Sequence, residues 1–447
     1  MQSQQVIVYS APLVVPVSMP VIVNGAVAVR GERVLHVGTR SWVLEVLREE
    51  LDAQAQQEMV ERHFDGILLP GLVNAHTHLQ YTGMSSVGQK IYDSFRAWEL
   101  AFDEIYDAPE EKPWKRWAHD GARQLLELGA TSAADVVSDI EAVGALGSLG
   151  MHGIAYWEVM DWENEAWSRE GARTLISQLA EAGRNQDIRL GISPHAPYSL
   201  GSGPLLDLPD IARGLGMRLH IHLGETPVEA GAFPSKLSNL TSYVWSDKNW
   251  DGYLALHAAG FEVSAIQFVD QLGVLGPDVH IAHGVYASRE DRRILRQRGV
   301  SVALCPRSNR VTCTVRDAPV ARYLEEGNPI AIGTDSLSSC PSLDVMDDAA
   351  EVYKLAVEQG YDRDDLSHRI IRALTLGGAE SMGLNCGSNR IGQINPGALA
   401  DLAFFDIPID ISTPMGVEET LDYFVLKGAG SCRATLLSGK LVHNRVW

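Results

Sequence analysis

Cysteine is scarce in this chain, and nothing in its spacing pairs it. The five cysteines among 447 residues are Cys305, Cys313, Cys340, Cys386 and Cys432. They are widely spaced, odd in number and form no Cys-x-x-Cys pair, which excludes a disulfide framework and a cysteine zinc site. Free thiols in a reducing cytoplasm are the expectation. Positive charge is also in short supply. Thirty-seven Lys and Arg against 57 Asp and Glu leave a formal net charge of −20, with no basic stripe of the kind that nucleic-acid binding needs. No apolar run is long enough to cross a bilayer. The opening residues Met1-Gln2-Ser3-Gln4-Gln5 lack a basic segment ahead of an apolar one, so no secretory leader is expected. Neither nucleic acid nor membrane is therefore an expected partner, and the acidity bears on solubility without identifying a substrate.

What is present describes a folded protein with a sizeable core: 45% hydrophobic residues, 21% charged residues and 41 glycines spread along the chain. Both ends read as β. Val6–Tyr9, Val21–Val23 and Ala26–Val29 are β-branched runs, with Asn24-Gly25 as a hairpin signal and Arg30-Gly31-Glu32 as a second turn before Val34–Val37. Ser41–Glu61 turns helical. Ala400–Phe405, Ala434–Leu437 and Leu441-Val442 are again strand-like. Between these ends, eight apolar runs alternate mostly with helical stretches: Leu68–Asn74, Thr131–Val137, Gly153–Met160, Ile188–Ser193, Arg218–Leu223, Val279–His283, Val300–Cys305 and Ile330–Thr334. This pattern predicts an α/β fold: a (β/α)8 TIM-like barrel plus a small β-sandwich assembled from both termini. The expected division is 1–67 and 386–447 for the sandwich and 68–385 for the barrel.

In such barrels the active site lies at the C-terminal ends of the strands, and there the chemically potent residues fall. His76-Thr77-His78 follows the first run, and residues i and i+2 of a strand share a face. His222 ends the fifth run with Glu225 three residues on. His283 ends the sixth and Asp335 the eighth. Three imidazoles and a carboxylate suit Zn2+ or Fe2+ with a position left for water, and the metal would acidify that water. Each residue alone has a plainer reading: His222 and His283 as packed core histidines, Asp335 as a turn or helix cap. Their joint placement at four strand ends favours the metal. His220 shares a face with His222 but lies deeper, and His280 is read as structural.

The segments Leu69-Pro70-Gly71-Leu72-Val73-Asn74-Ala75-His76-Thr77-His78, His222-Leu223-Gly224-Glu225-Thr226, Cys305-Pro306-Arg307-Ser308-Asn309 and Gly333-Thr334-Asp335-Ser336 resemble the amidohydrolase superfamily. More narrowly, they are similar to its cytosine, guanine and S-adenosylhomocysteine deaminase and chlorohydrolase branch. The likeness runs from about Val21 to Leu441 and includes Gly392–Leu402.

This resemblance implies one divalent metal held by His76, His78, His222 and Asp335. It implies that Glu225 protonates a ring nitrogen, that Asp335 moves a proton from water to the leaving amine, and that His283 polarises the reacting group. The stretch Gly191–Ser199 lacks the lysine that binuclear members carry after strand four, so a single ion is expected. His195 at that strand end would contact substrate. Arg307 would bind a substrate carboxylate or phosphate through its fork or brace its loop, and Asn309 lies beside it. Arg310–Thr314 departs from the glycine-containing turn of nucleoside-type members. Gln80 borders the pocket, and Trp98 and Phe95 are placed to stack on a purine. Trp157 and Glu158 either touch a sugar or fill the barrel.

The implied reaction removes ammonia from an aminated heterocycle, most of all a substituted adenine nucleoside. The chain looks similar to enzymes that deaminate 6-aminodeoxyfutalosine in menaquinone synthesis, whose benzoate arm Arg307 would meet. S-adenosylhomocysteine, guanine, cytosine and aminated or chlorinated triazines are the other substrates implied, and a homodimer is the implied assembly. A non-catalytic barrel is the contrary class, but such relatives lose their ligands, and this chain keeps them all.

Overall fold

The computed structural model describes residues 5–184, 187–231 and 252–447. The strands fall into two sheets. The terminal sheet takes β1 (Val6–Val14), β2 (Ile22–Arg30), β3 (Arg33–Thr39), β4 (Val60–His63) and β5 (Ile67–Pro70) from the N-terminal side. The barrel takes β6 (Leu72–Thr77), β7 (Ala130–Val137), β8 (His152–Val159), β9 (Arg189–Pro194), β10 (Leu219–Leu223), β11 (Val279–His283), β12 (Ser301–Leu304) and β13 (Ile330–Ile332). The chain then returns to the terminal sheet with β14 (Leu402–Phe405), β15 (Cys432–Leu437) and β16 (Lys440–Asn444).

The terminal sheet runs β16-β15-β14-β5-β1-β2-β3, with β4 beside β1. Buried side chains from both ends of the chain form one cluster on it, including Val27, Val29, Phe404, Ala434 and Leu436. Tyr9 and Phe404 rings lie 5.5 Å apart. Its opposite face, through Val8, Ala26 and Ala28, packs on Val43 and Leu47 of helix Arg40–Glu50. Two local expectations change here. Asn24-Gly25 is no hairpin: β2 passes straight through it, with Ala11 opposite Gly25 and Leu13 opposite Val23. Asn24 takes a left-handed φ of 50° as a kink within the strand. The helical reading of Ser41–Glu61 ends too late, because Val60–His63 pairs parallel to β1.

The barrel strands are parallel, in the order β6 to β13. The expected runs match them to within a residue or two, except the first. Leu68–Asn74 divides at Gly71: β5 pairs with β14 in the terminal sheet, and only β6 enters the barrel. At the seam between β13 and β6, the Asp335 amide donates to the His76 carbonyl (2.9 Å). Asn74 and Thr334 also exchange hydrogen bonds of 2.8 and 3.1 Å. A Cβ on Gly333 would sit 2.8 Å from the His76 amide nitrogen, so only glycine lets the seam close this tightly. All five cysteines are free. Among the described residues no helix is long and apolar enough to cross a membrane.

Candidate metal centre and cavity

The strand ends bring the histidines and carboxylates of four distant segments together. Ligand atoms of His76, His78 and Asp335 lie within 4.8 Å of one another, as do those of His76, His222 and His283. His78 Nε2 is 3.2 Å from His222 Nε2. Asp335 Oδ1 is 3.4 Å from His76 Nε2 and 3.5 Å from His78 Nε2. His283 and Asp335 hold left-handed backbone angles, φ 72° and 57°, as strained residues at functional sites often do. Gly284 follows His283 in the same region at φ 59°, and a Cβ there would press to 2.6 Å from the Tyr323 hydroxyl.

The surrounding hydrogen bonds fix which nitrogen of the His76, His222 and His283 rings is free. His220 Nδ1 faces the His280 carbonyl (3.1 Å) and must carry its proton. His220 Nε2 then accepts from His76 Nδ1 (2.7 Å), which leaves the His76 Nε2 lone pair turned to the centre. That atom is buried with no protein hydrogen-bond partner. His222 Nδ1 donates to the His195 carbonyl (3.0 Å), and His283 Nδ1 donates to Asn309 Oδ1 (3.0 Å). His283 Nε2 is likewise buried and unpartnered. Burial holds His76 well below the ordinary histidine range, lowers His222 and takes His78 down to about 3, so these rings are neutral, as metal ligands must be. Ser308 Oγ donates to Asp335 Oδ2 (2.7 Å). Convergent lone pairs, unpartnered buried nitrogens and a nearby carboxylate fit a zinc or ferrous ion.

His220 is thus a positioning group for His76, and it stacks on His280 at 3.8 Å between centroids. Outer hydrogen-bond partners of metal ligands typically carry 10–100-fold of metal affinity. His220→Phe is expected to weaken zinc binding by about that factor, read by chelator competition, whereas His220→Asn, which keeps an acceptor, recovers part of the loss.

Glu225 stands on a rigid turn. Glu229 accepts the amides of Gly224 (2.8 Å), Glu225 (2.9 Å) and Thr226 (2.8 Å). The capping box of Thr226 and Glu229 closes that turn. Glu225 Oε1 is 3.6 Å from His283 Nε2, and Oε2 accepts from the Tyr198 hydroxyl (2.9 Å). The strand-end residues open on a cavity of about 720 Å³ lined by His78, His195, His222, Glu225 and Asp335. Helix Phe95–Tyr106 presents Phe95, Trp98, Phe102 and Tyr106 to this cavity, a spacing that keeps one helical face together. Trp98 Nε1 is spent on the Ser338 carbonyl (2.9 Å), which fixes its ring plane. Glu158, at the end of β8, lines the same cavity. Burial, then the Asp335 and Asp161 carboxylates, push it up to about 8.

The structure decides the alternative left open for Arg307 and places Asn309 and Gln80 off the cavity lining. Arg307 is not among the residues lining the cavity. Its guanidinium is used on Asp348 (2.7 and 2.9 Å), Asp347 (3.0 Å), Ser342 and the Asp344 carbonyl, so it braces its loop and has no donor left for a substrate anion. Asn309 lies behind His283, whose Nδ1 it receives. Gln80 is buried, accepting the Ser138 amide (3.0 Å) and donating to the Ser138 hydroxyl (2.6 Å). His220 lies deeper in the barrel and hydrogen-bonded there, as expected, whereas no role for Tyr198, Ser308 or Glu229 is read from the sequence. Only Glu229 left a signal, the Thr-x-x-Glu capping pattern. Because Asp348 is fully buried, Arg307→Ala is expected to cost about 3–5 kcal/mol of stability, read by chemical denaturation.

A barrel with imidazoles and carboxylates converging at its strand ends defines a metal-dependent hydrolase architecture. The chain belongs to the amidohydrolase family, whose sequence profile matches residues 67–442. It is 29% identical over 427 residues to a 5-methylthioadenosine/S-adenosylhomocysteine deaminase of Moorella thermoacetica, covering 92% of this chain and 88% of that one. The structure of an aminofutalosine deaminase of Helicobacter pylori, in complex with methylthio-coformycin, superposes with a TM-score of 0.78 at 20% identity, over 98% of this chain and 100% of that one. An adenosine deaminase of Xanthomonas campestris with bound zinc superposes with a TM-score of 0.75 at 22% identity, over 98% and 93%.

Proposed function

We propose that this protein is a metal-dependent aminohydrolase that releases ammonia from the adenine ring of a 5′-substituted nucleoside. The observation that carries this reading is the placement of Glu225, held by Tyr198 and 3.6 Å from His283, on the cavity that Asp335, His78 and His222 share. A chemical precedent is the deaminase activity named for the Moorella thermoacetica relative.

His76, His78, His222 and Asp335 are the residues that would hold one divalent ion, zinc or ferrous iron. When bound, that ion supplies Lewis acidity and draws the pKa of water down toward about 7. Asp335 takes a proton from the attacking water and passes it to the departing amine. Glu225 delivers a proton to the ring nitrogen beside the attacked carbon, so that charge does not build on the ring, and recovers one from the added hydroxyl as the amine leaves and the carbonyl forms. His283, its Nδ1 committed to Asn309, turns Nε2 to the reacting group. The aromatic face of helix Phe95–Tyr106 and His195 seat the purine. The test is ammonia release from a panel of adenine nucleosides by metal-loaded protein. Turnover of 5′-methylthioadenosine or 5′-deoxyadenosine supports the reading, and turnover of triazines or guanine alone replaces it with the other branch.

A further inference from the structure

The cavity's charge is lopsided. Besides Glu225 and Asp335, five carboxylates line it, among them Glu99, Asp103 and Glu158. Among the described residues the only guanidinium or ammonium in the lining is Arg96, and its Nη1 already donates to Glu99 (2.6 Å). Arg307, the cation expected to greet an anionic substrate arm, is spent on Asp347 and Asp348.

Glu158 supplies the second, independent observation. It is 8% exposed, yet its Oε1 is buried without a hydrogen-bond partner, a costly state for a carboxyl unless something arrives to satisfy it. A Glu158 oxygen and ring nitrogens of His195 and His222 lie within 4.8 Å of one another, so a molecule seated against those rings is within its reach. In barrel order β9, which His195 follows, stands between Glu158 on β8 and Glu225 after β10. Glu158 therefore addresses a different part of the substrate from the ring nitrogen that Glu225 serves.

We propose that Glu158 is a specificity-determining residue that hydrogen bonds a donor on the substrate outside the reacting ring, and that the acidic lining admits neutral or cationic 5′ substituents and rejects anionic ones. This inference rests on the nucleoside-deaminase reading and deepens it. An anion entering here meets the carboxyl groups of Asp103, Asp107 and Asp161 with no free guanidinium fork to pair with, whereas a hydroxyl meets acceptors and an alkylammonium beside Glu158 favours that group's ionised form.

Three compounds differing only at the 5′ position test it: 5′-amino-5′-deoxyadenosine, 5′-deoxyadenosine and adenosine 5′-monophosphate. With metal-loaded wild type, kcat/KM for the monophosphate is expected to fall at least about a hundredfold below the other two. In Glu158→Gln the amino compound is expected to lose roughly tenfold more than 5′-deoxyadenosine does. A monophosphate used as well as 5′-deoxyadenosine overturns the proposal, and so does an equal loss on all three compounds in Glu158→Gln, which marks a merely structural residue. Should that variant fail to fold, Asp103→Asn carries the test: a narrowed gap between 5′-deoxyadenosine and the monophosphate supports the proposal, and an unchanged gap overturns it. Calorimetric binding of the same compounds reads the charge order without turnover. Deamination without the charge order defeats this inference alone, whereas a protein that neither binds nor deaminates any of the three defeats the reaction assignment with it.

Discussion

Glu225→Gln is expected to lower kcat/KM for the nucleoside substrate by about 10²–10⁴, with metal content and melting temperature near those of wild type. The size follows from the chemistry. Adding water to an aromatic ring carbon places negative charge on the neighbouring nitrogen, and only a proton delivered there in the transition state relieves it. The amide has nearly the same shape as the carboxyl, so Tyr198 and the turn built on Glu229 retain their partners, but the amide has no titratable proton to transfer. The expected signature is a fall in kcat larger than any rise in KM, because an interaction made mainly in the transition state is lost. Ammonia release and metal analysis on the same sample separate this from a loss of the ion. Full activity in the variant removes Glu225 from the reaction.

Much of the barrel could be read from the chain because each strand is a short apolar run that ends in polar or turn-forming residues. Where that contrast fails, the reading fails. β5 and β6 are contiguous, apolar and separated only by Gly71, so no composition signal marks the passage from one sheet to the other. β4, Val60-Glu61-Arg62-His63, is mostly exposed and lacks the alternation of a half-buried strand. In the site, the convergence of His76 and His78 was legible because side chains two residues apart on a strand point the same way. Arg307 was not, since an arginine after a barrel strand looks the same whether it meets substrate or Asp348, and the deciding carboxylates lie about forty residues downstream on helix Val345–Glu358. Tyr198 and Ser308 are common residue types whose roles come from proximity alone.

The histidine network also explains why the centre should depend on its ion for more than activity. Stripping the divalent metal with a chelator is expected to abolish ammonia release and to lower the melting temperature, and zinc or ferrous iron is expected to restore both. The Nε2 atoms of His76 and His283 are buried with no hydrogen-bond partner in the protein, and His78 Nε2 faces His222 Nε2 at 3.2 Å. Orphaned polar atoms of this kind oppose folding. An ion bound only by the native state reverses that penalty and adds mass-action stabilisation, about 4 kcal/mol when free metal is a thousandfold above Kd. The dependence on metal concentration is the discriminating measurement: melting temperature should climb with the logarithm of free zinc. In His76→Ala, which removes one ligand and leaves His220 without its donor, that slope should appear only at much higher concentration. Metal-free protein that turns over substrate at the wild-type rate, or melts at an unchanged temperature, would show that these four strand ends converge for some other purpose.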